Sequence, residues 1–78
     1  MIFHESHATL ADQPNQTRCQ IRDLTGEAAV VLRLLEIGFM RGQEVFVQGR
    51  APFGEPILIE IRGATIALRK REAQCILV

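Results

Sequence analysis

Tryptophan and tyrosine are absent from this 78-residue chain, whose aromatic side chains other than histidine are four phenylalanines. Proteins that bind single-stranded nucleic acid commonly stack bases on aromatic side chains within a positively charged groove. Here nine Lys and Arg are balanced by nine Asp and Glu, which gives a formal net charge of zero. On this basis neither nucleic acid nor an anionic membrane is expected as a partner.

Long hydrophobic runs are also missing. The most apolar stretch, residues 28–40, is interrupted by Arg33 and Glu36 and is shorter than the roughly 20 apolar residues that a spanning helix needs. The first residues, with His4 and Glu5 close to the start, lack the basic and apolar regions of a secretory signal. We therefore expect a cytoplasmic protein that does not cross a bilayer.

Residue types that build catalytic and metal sites are scarce. The two histidines, His4 and His7, stand near the N-terminus, while Cys19 and Cys75 are far apart and match no paired metal-binding spacing. We predict no enzyme activity, no catalytic residue, no cofactor and no metal site. If the chain does bind a transition metal, His4 and His7 with Glu5 are the candidate ligands, since imidazole and carboxylate suit such ions. Both cysteines are expected as small buried hydrophobic residues.

Hydrophobic periodicity predicts one domain over residues 9–78, preceded by a flexible tail over residues 1–8 that has no periodic pattern. Apolar residues at helical spacing predict a helix that ends at Gly38 and turns inward Ala28, Val31, Leu32 and Leu35. Short segments predict five strands, at residues 17–22, 44–48 and 57–62, around Ile66 and Leu68, and at residues 75–78. A closed or nearly closed antiparallel barrel would remove the exposed edges of such strands.

Three segments of the chain resemble the signature of the FeoA family. They are residues 35–42 (LEIGFMRG), residues 51–56 (APFGEP) and residues 66–73 (IALRKREA). The family has a helix exit of the form L-x-x-LG-h-x-PG, a loop AP-h-G-D/E-P and a segment I-A-LR-x-x-E-A before the last strand. All three occur here in the same order, with Arg41 in place of the usual proline of the first, and the resemblance extends over about residues 9–78.

The resemblance implies a mainly β fold, a small SH3-like five-stranded antiparallel barrel with one short α-helix between strands 1 and 2. It also implies an accessory protein of ferrous iron transport that binds FeoB, the membrane G protein that moves ferrous iron. Similar domains occur at the C-terminal end of metal-dependent repressors, so a repressor-type SH3-like domain is one alternative. A protein that binds or senses a transition metal directly is another.

Apolar residues exceed what the inward faces of the predicted strands require, and the surplus includes Phe46 and Leu58. An exposed apolar patch is typical of a protein contact, although the helix and the Pro-rich loop could also cover these side chains. A basic run at the end of a strand is either a solvated rim or a further partner contact. The predicted partner-binding residues are Phe39, Met40, Pro52, Phe53, Gly54, Arg69, Lys70 and Arg71.

Overall fold

A computed structural model describes residues 8–78 of the chain. The predicted tail lies outside this range except for Ala8, as do the candidate ligands His4 and His7. A 3-10 turn over Leu10–Asp12 precedes the strands and helices. These are β1 (Thr17–Gln20), β2 (Asp23–Leu24), α1 (Ala28–Ile37), β3 (Glu44–Arg50), β4 (Ile57–Ile61), β5 (Ala64–Leu68), α2 (Lys70–Ala73) and β6 (Ile76–Leu77).

Two antiparallel sheets make up the β structure. The larger has the strand order β1-β3-β4-β5, and the smaller pairs β2 with β6. Alternation of side chains along β4 buries Ile57, Ile59 and Ile61 and leaves Leu58 and Glu60 exposed. The apolar faces of both sheets meet in one core.

The structure is mainly β and antiparallel, as predicted. The numbers of strands and helices differ from the prediction, and the barrel is not closed. Among residues 8–78 there are six strands rather than five and two α-helices rather than one, and the strands form two sheets instead of one closed barrel. Asp23–Leu24 is too short to show a period of two, so the pattern missed it. The basic run enters a helix, Lys70–Ala73, rather than ending a strand.

Helix α1 also turns a different face inward from the one that its sequence predicts. Leu34 is fully buried, and Val30 and Ile37 pack against the same core. Leu32 and Leu35, predicted to face inward, are 57% and 41% exposed. Helix α1 therefore packs one apolar stripe against the core and presents a second one outward.

Phe39 lies beneath the end of α1 and belongs to the core. Gly38 adopts φ +123°, a conformation that side chains rarely tolerate, and there the chain reverses. The backbone N–H groups of Gly38 and Phe39 donate to the carbonyl of Leu34 at 3.1 and 3.0 Å. The Phe39 side chain has no exposed surface, which corrects the prediction that it contacts a partner.

Candidate partner-binding surface

The loop between β3 and β4 carries the most exposed large apolar side chain of residues 8–78. Phe53 is 98% exposed. Its loop is held closed by two backbone hydrogen bonds, from Gly54 N–H to Ala51 O at 2.8 Å and from Ala51 N–H to Pro56 O at 3.2 Å. Pro52 is exposed beside it. The loop thus presents an aromatic ring to solvent from a hydrogen-bonded turn.

The basic run lies next to this loop. The backbone N–H of Lys70 donates to Oε1 of Glu55 at 2.7 Å, which joins the start of α2 to the loop. A cleft beside Phe53 is lined by Glu55, Pro56, Ala67 and Arg69. The 51–56 motif and the 66–73 motif therefore form one surface. We call Arg50, Phe53, Glu55, Arg69, Lys70 and Arg71 the Phe53 surface.

Positive charge dominates the Phe53 surface. Arg69, Lys70 and Arg71 are exposed and form no ion pair with any other residue in the range 8–78. The guanidinium of Arg50 donates to the carbonyls of Ala11 and Gln13 and to the side-chain oxygen of Asn15, and none of these neutral acceptors offsets its positive charge. The only acid in the defined set is Glu55.

Met40 does not belong to this surface, although sequence reasoning grouped it with Phe53. It precedes β3, whereas Phe53 follows it, and the seven residues of that strand span roughly 23 Å at about 3.3 Å per residue. Met40 is 44% exposed and follows shortly after α1, which bears the exposed Leu32 and Leu35. The predicted partner-binding residues thus divide between opposite ends of β3, with Phe39 in the core.

Two members of the Phe53 surface, Arg50 and Glu55, were not among the residues predicted from the sequence. Arg50 is the first. It ends β3, where the strand pattern gives it no special position, and its contacts reach residues 11–15 at the far end of the chain. Glu55 lies in the 51–56 motif, yet only the folded chain shows that it binds the backbone of Lys70. Both roles depend on contacts between residues distant in sequence.

Chemically reactive groups within residues 8–78 do not cluster. No group of three or more His, Cys, Asp or Glu side chains in this part of the chain could hold a metal ion. Cys19 lies in β1 and Cys75 between α2 and β6, and both thiols are free. Burial raises the pKa of the Cys19 thiol above its usual value. A hydrogen bond from the Leu24 N–H, with Arg41 beside it, lowers the pKa of Asp23.

No helix in the described range is long and apolar enough to span a membrane. The exposed features are instead those of a small domain with a stiff, basic and aromatic surface. Such a surface suits contact with another molecule.

The fold has close counterparts among solved structures. A FeoA-like protein from Clostridium acetobutylicum superposes with a TM-score of 0.85 at 30% sequence identity, over 95% of this chain and 86% of that one. FeoA from Stenotrophomonas maltophilia, solved with zinc and described as an SH3 domain protein, gives a TM-score of 0.79 at 30% identity over 91% and 89% of the two chains. These similarities define an SH3-like domain.

The sequence identifies the family to which this SH3-like domain belongs. The FeoA domain model matches residues 8–78, so the chain belongs to the FeoA family, which is associated with ferrous iron transport. A manganese-dependent transcriptional repressor also superposes, with a TM-score of 0.83 over 99% of this chain and 43% of that one. Its 19% identity shows a shared fold alone. No curated protein sequence matches the chain.

Proposed function

We propose that this protein is a cytoplasmic accessory protein of ferrous iron transport that acts by binding the cytoplasmic part of a FeoB-like transporter. Membership of the FeoA family supports the link to iron transport. The observation that carries the binding role is Phe53, a large aromatic side chain that is 98% exposed on a hydrogen-bonded loop.

An aromatic side chain in water is unfavourable unless a partner covers it. Covering a phenylalanine removes a large apolar area from solvent, and side chains of this kind commonly act as anchors in protein interfaces. A preformed loop loses little conformational freedom when it binds. Phe53 therefore has the position and the support of an interface anchor.

Co-purification with the FeoB-like transporter of the same cell, with and without guanine nucleotide, tests this proposal. We expect the full chain to be retained on the immobilised transporter. Phe53→Ala should weaken binding by about 1 kcal/mol or more, which is roughly fivefold, because it removes the anchor. Its melting temperature should stay close to that of the wild type, because the removed side chain is exposed.

Met40→Ala is the matched control, since Met40 is a half-exposed apolar residue at the other end of β3. It should leave transporter binding near the wild-type value. Failure of the wild-type chain to bind the transporter in either nucleotide state would refute the proposal. Equal binding by Phe53→Ala and the wild type would show that Phe53 is not the anchor.

A further inference from the structure

We infer that the Phe53 surface recognises an acidic peptide segment that carries an apolar side chain. The inference rests on the proposed function and deepens it, because it gives the chemistry of the transporter segment that this surface would take. Two features of the surface indicate what binds there. One is positive charge that exceeds the negative charge beside it within residues 8–78, and the other is the exposed aromatic ring of Phe53.

Charge complementarity is the first argument. The Phe53 surface holds four cationic side chains and one carboxylate, Glu55, and Glu27 lines a further cleft together with Arg71, although the whole chain has zero net charge. Glu55 is partly satisfied already, since one of its oxygens accepts the Lys70 N–H. The nearby Glu72 does not neutralise the run either, because its carboxylate pairs with Arg33 and accepts the Arg69 backbone N–H. Within residues 8–78 the three cations of the 69–71 run have no ion-pair partner, so a binding segment that carries negative charge would complement this surface.

The type of cationic side chain also indicates which anionic group the ligand carries. Three of the four cations are arginines. The guanidinium of Arg50 already donates to neighbouring backbone and side-chain oxygens, so within residues 8–78 Arg69 and Arg71 are the two whose guanidinium groups have no acceptor. The planar guanidinium group matches a carboxylate with two parallel hydrogen bonds, a geometry that lysine cannot provide. Aspartate and glutamate side chains are thus well suited to this surface.

The exposed ring is the second argument. Phe53 lines a cleft together with Pro56, Ala67 and Arg69, so apolar atoms and a guanidinium group border the same space. A leucine or phenylalanine of a bound segment would cover the ring while flanking acids reach the arginines. Segments with no apolar residue would leave Phe53 in water, and their binding would then depend on charge alone.

An anionic bilayer is the competing occupant, and three observations disfavour it. Membrane attachment scales with the apolar area that enters the interface, and the loop offers one large apolar side chain, Phe53. Glu55 adjoins that side chain and would repel lipid phosphates. The zero net charge also gives the molecule as a whole no attraction to an anionic surface.

Fluorescence anisotropy with the full chain provides the test. The probe is a labelled peptide in which glutamates flank two leucines, and the comparison peptide has glutamine in place of every glutamate. We expect the acidic peptide to bind and the glutamine peptide to bind far more weakly, with affinity for the acidic peptide falling as salt is raised. Vesicles of phosphatidylcholine and phosphatidylglycerol should retain little of the protein in sedimentation.

Lys70→Glu and Arg22→Glu form the matched pair of variants. Both residues are exposed, and Arg22 lies outside the clefts that flank Phe53. Lys70→Glu should weaken binding of the acidic peptide by about fivefold or more, whereas Arg22→Glu should change that binding little. Circular dichroism melts show whether each variant is folded, and a glutamate in the first turn of α2 is favourable for the helix.

Equal affinities for the two peptides, or equal effects of the two variants, would overturn the inference. Vesicle binding that depends on Phe53, without peptide binding, would overturn it in favour of a membrane surface. The proposed function is judged separately. If the transporter binds the wild type and Lys70→Glu equally well, the inference about the acidic segment fails and the proposed function stands. If the acidic peptide binds but the transporter does not, the proposed function fails and the inference stands.

Discussion

Two adjacent leucines of α1 lie in opposite environments. Leu34 is fully buried in the core, and Leu35 is 41% exposed. We expect Leu34→Ala to lower the free energy of unfolding by about 2–5 kcal/mol, because it leaves a cavity in the core. Leu35→Ala should lower it by less than about 1 kcal/mol. Urea unfolding followed by circular dichroism measures both, and similar losses for the two variants would contradict the observed orientation of the helix.

Periodicity alone could not choose between the two faces of α1. Residues 30, 34 and 37 satisfy helical spacing, and so do residues 28, 31, 32 and 35. Positions two apart on a helix differ by about 200° in direction, so the two stripes lie on opposite sides. The buried stripe is selected by what the helix packs against. That contact is tertiary, and no local pattern of the sequence records it.

Phe39 and Phe53 show that the sequence pattern also fails to predict whether a single side chain is buried or exposed. Both are phenylalanines within family motifs, and the sequence predicts that both contact a partner. Gly38 turns the chain so that Phe39 enters the core, whereas the loop around Phe53 projects its ring into solvent. Exposure depends on which way a turn directs the chain, and this is fixed by backbone contacts that the composition of the motif does not specify.

The two helices are linked by an ion pair between Arg33 of α1 and Glu72 of α2. Glu72 is 8% exposed, and its other oxygen accepts the Arg69 N–H at 2.8 Å. Arg33→Gln should therefore lower the free energy of unfolding by about 1 kcal/mol, because a largely buried carboxylate loses its charged partner. The loss should largely disappear in a Glu72→Gln background, where no charge remains to be paired.

The control for this pair is Arg18→Gln. Arg18 and Glu44 are both more than half exposed and 3.8 Å apart, so their interaction should contribute close to nothing. Urea unfolding of the wild type, the two single variants and the double variant of Arg33 and Glu72 gives the coupling directly. A coupling no larger than the Arg18 effect would mean that the pair does not connect the helices.

The elements of the candidate site were predictable to different degrees. The 51–56 loop and the basic run were identified from their family motifs, and the structure brings them together through Glu55 and Lys70. Helix α2 was not predicted, because four residues give too few turns for a periodic signal. Met40 was assigned to the wrong end of the molecule, since the sequence does not reveal that β3 separates it from Phe53.

At the scale of the whole molecule, two small sheets share one core, and the ends of the described chain meet. The backbone N–H of Val78 donates to the Ala8 carbonyl at 3.0 Å, and Thr9 forms a bridge with Leu77. The 3-10 turn Leu10–Asp12 packs against α2 and β6. Since α2 carries part of the Phe53 surface, the position of that surface depends on the smaller sheet as well as on the larger one.

Because the two sheets share this core, we expect them to unfold together. Ile59 of β4 and Ile76 of β6 lie in different sheets, yet both are fully buried within the same apolar cluster. A two-stranded sheet is not stable in water by itself, so β2 and β6 should persist only as long as the core does. In a urea titration followed by NMR, the native methyl signals of Ile59 and Ile76 should disappear with the same midpoint.

The exposed methyl of Ala67 serves as the control, because it lies on β5 of the larger sheet and beside Phe53. Its native signal should follow the same curve if the Phe53 surface, the larger sheet and the smaller sheet form one cooperative unit. An earlier midpoint for Ile76 alone would contradict this, since it would show the smaller sheet opening while the larger one remains folded. In that event the basic residues of α2 would move relative to Phe53 in the native protein, and the two halves of the proposed binding surface would not be held together.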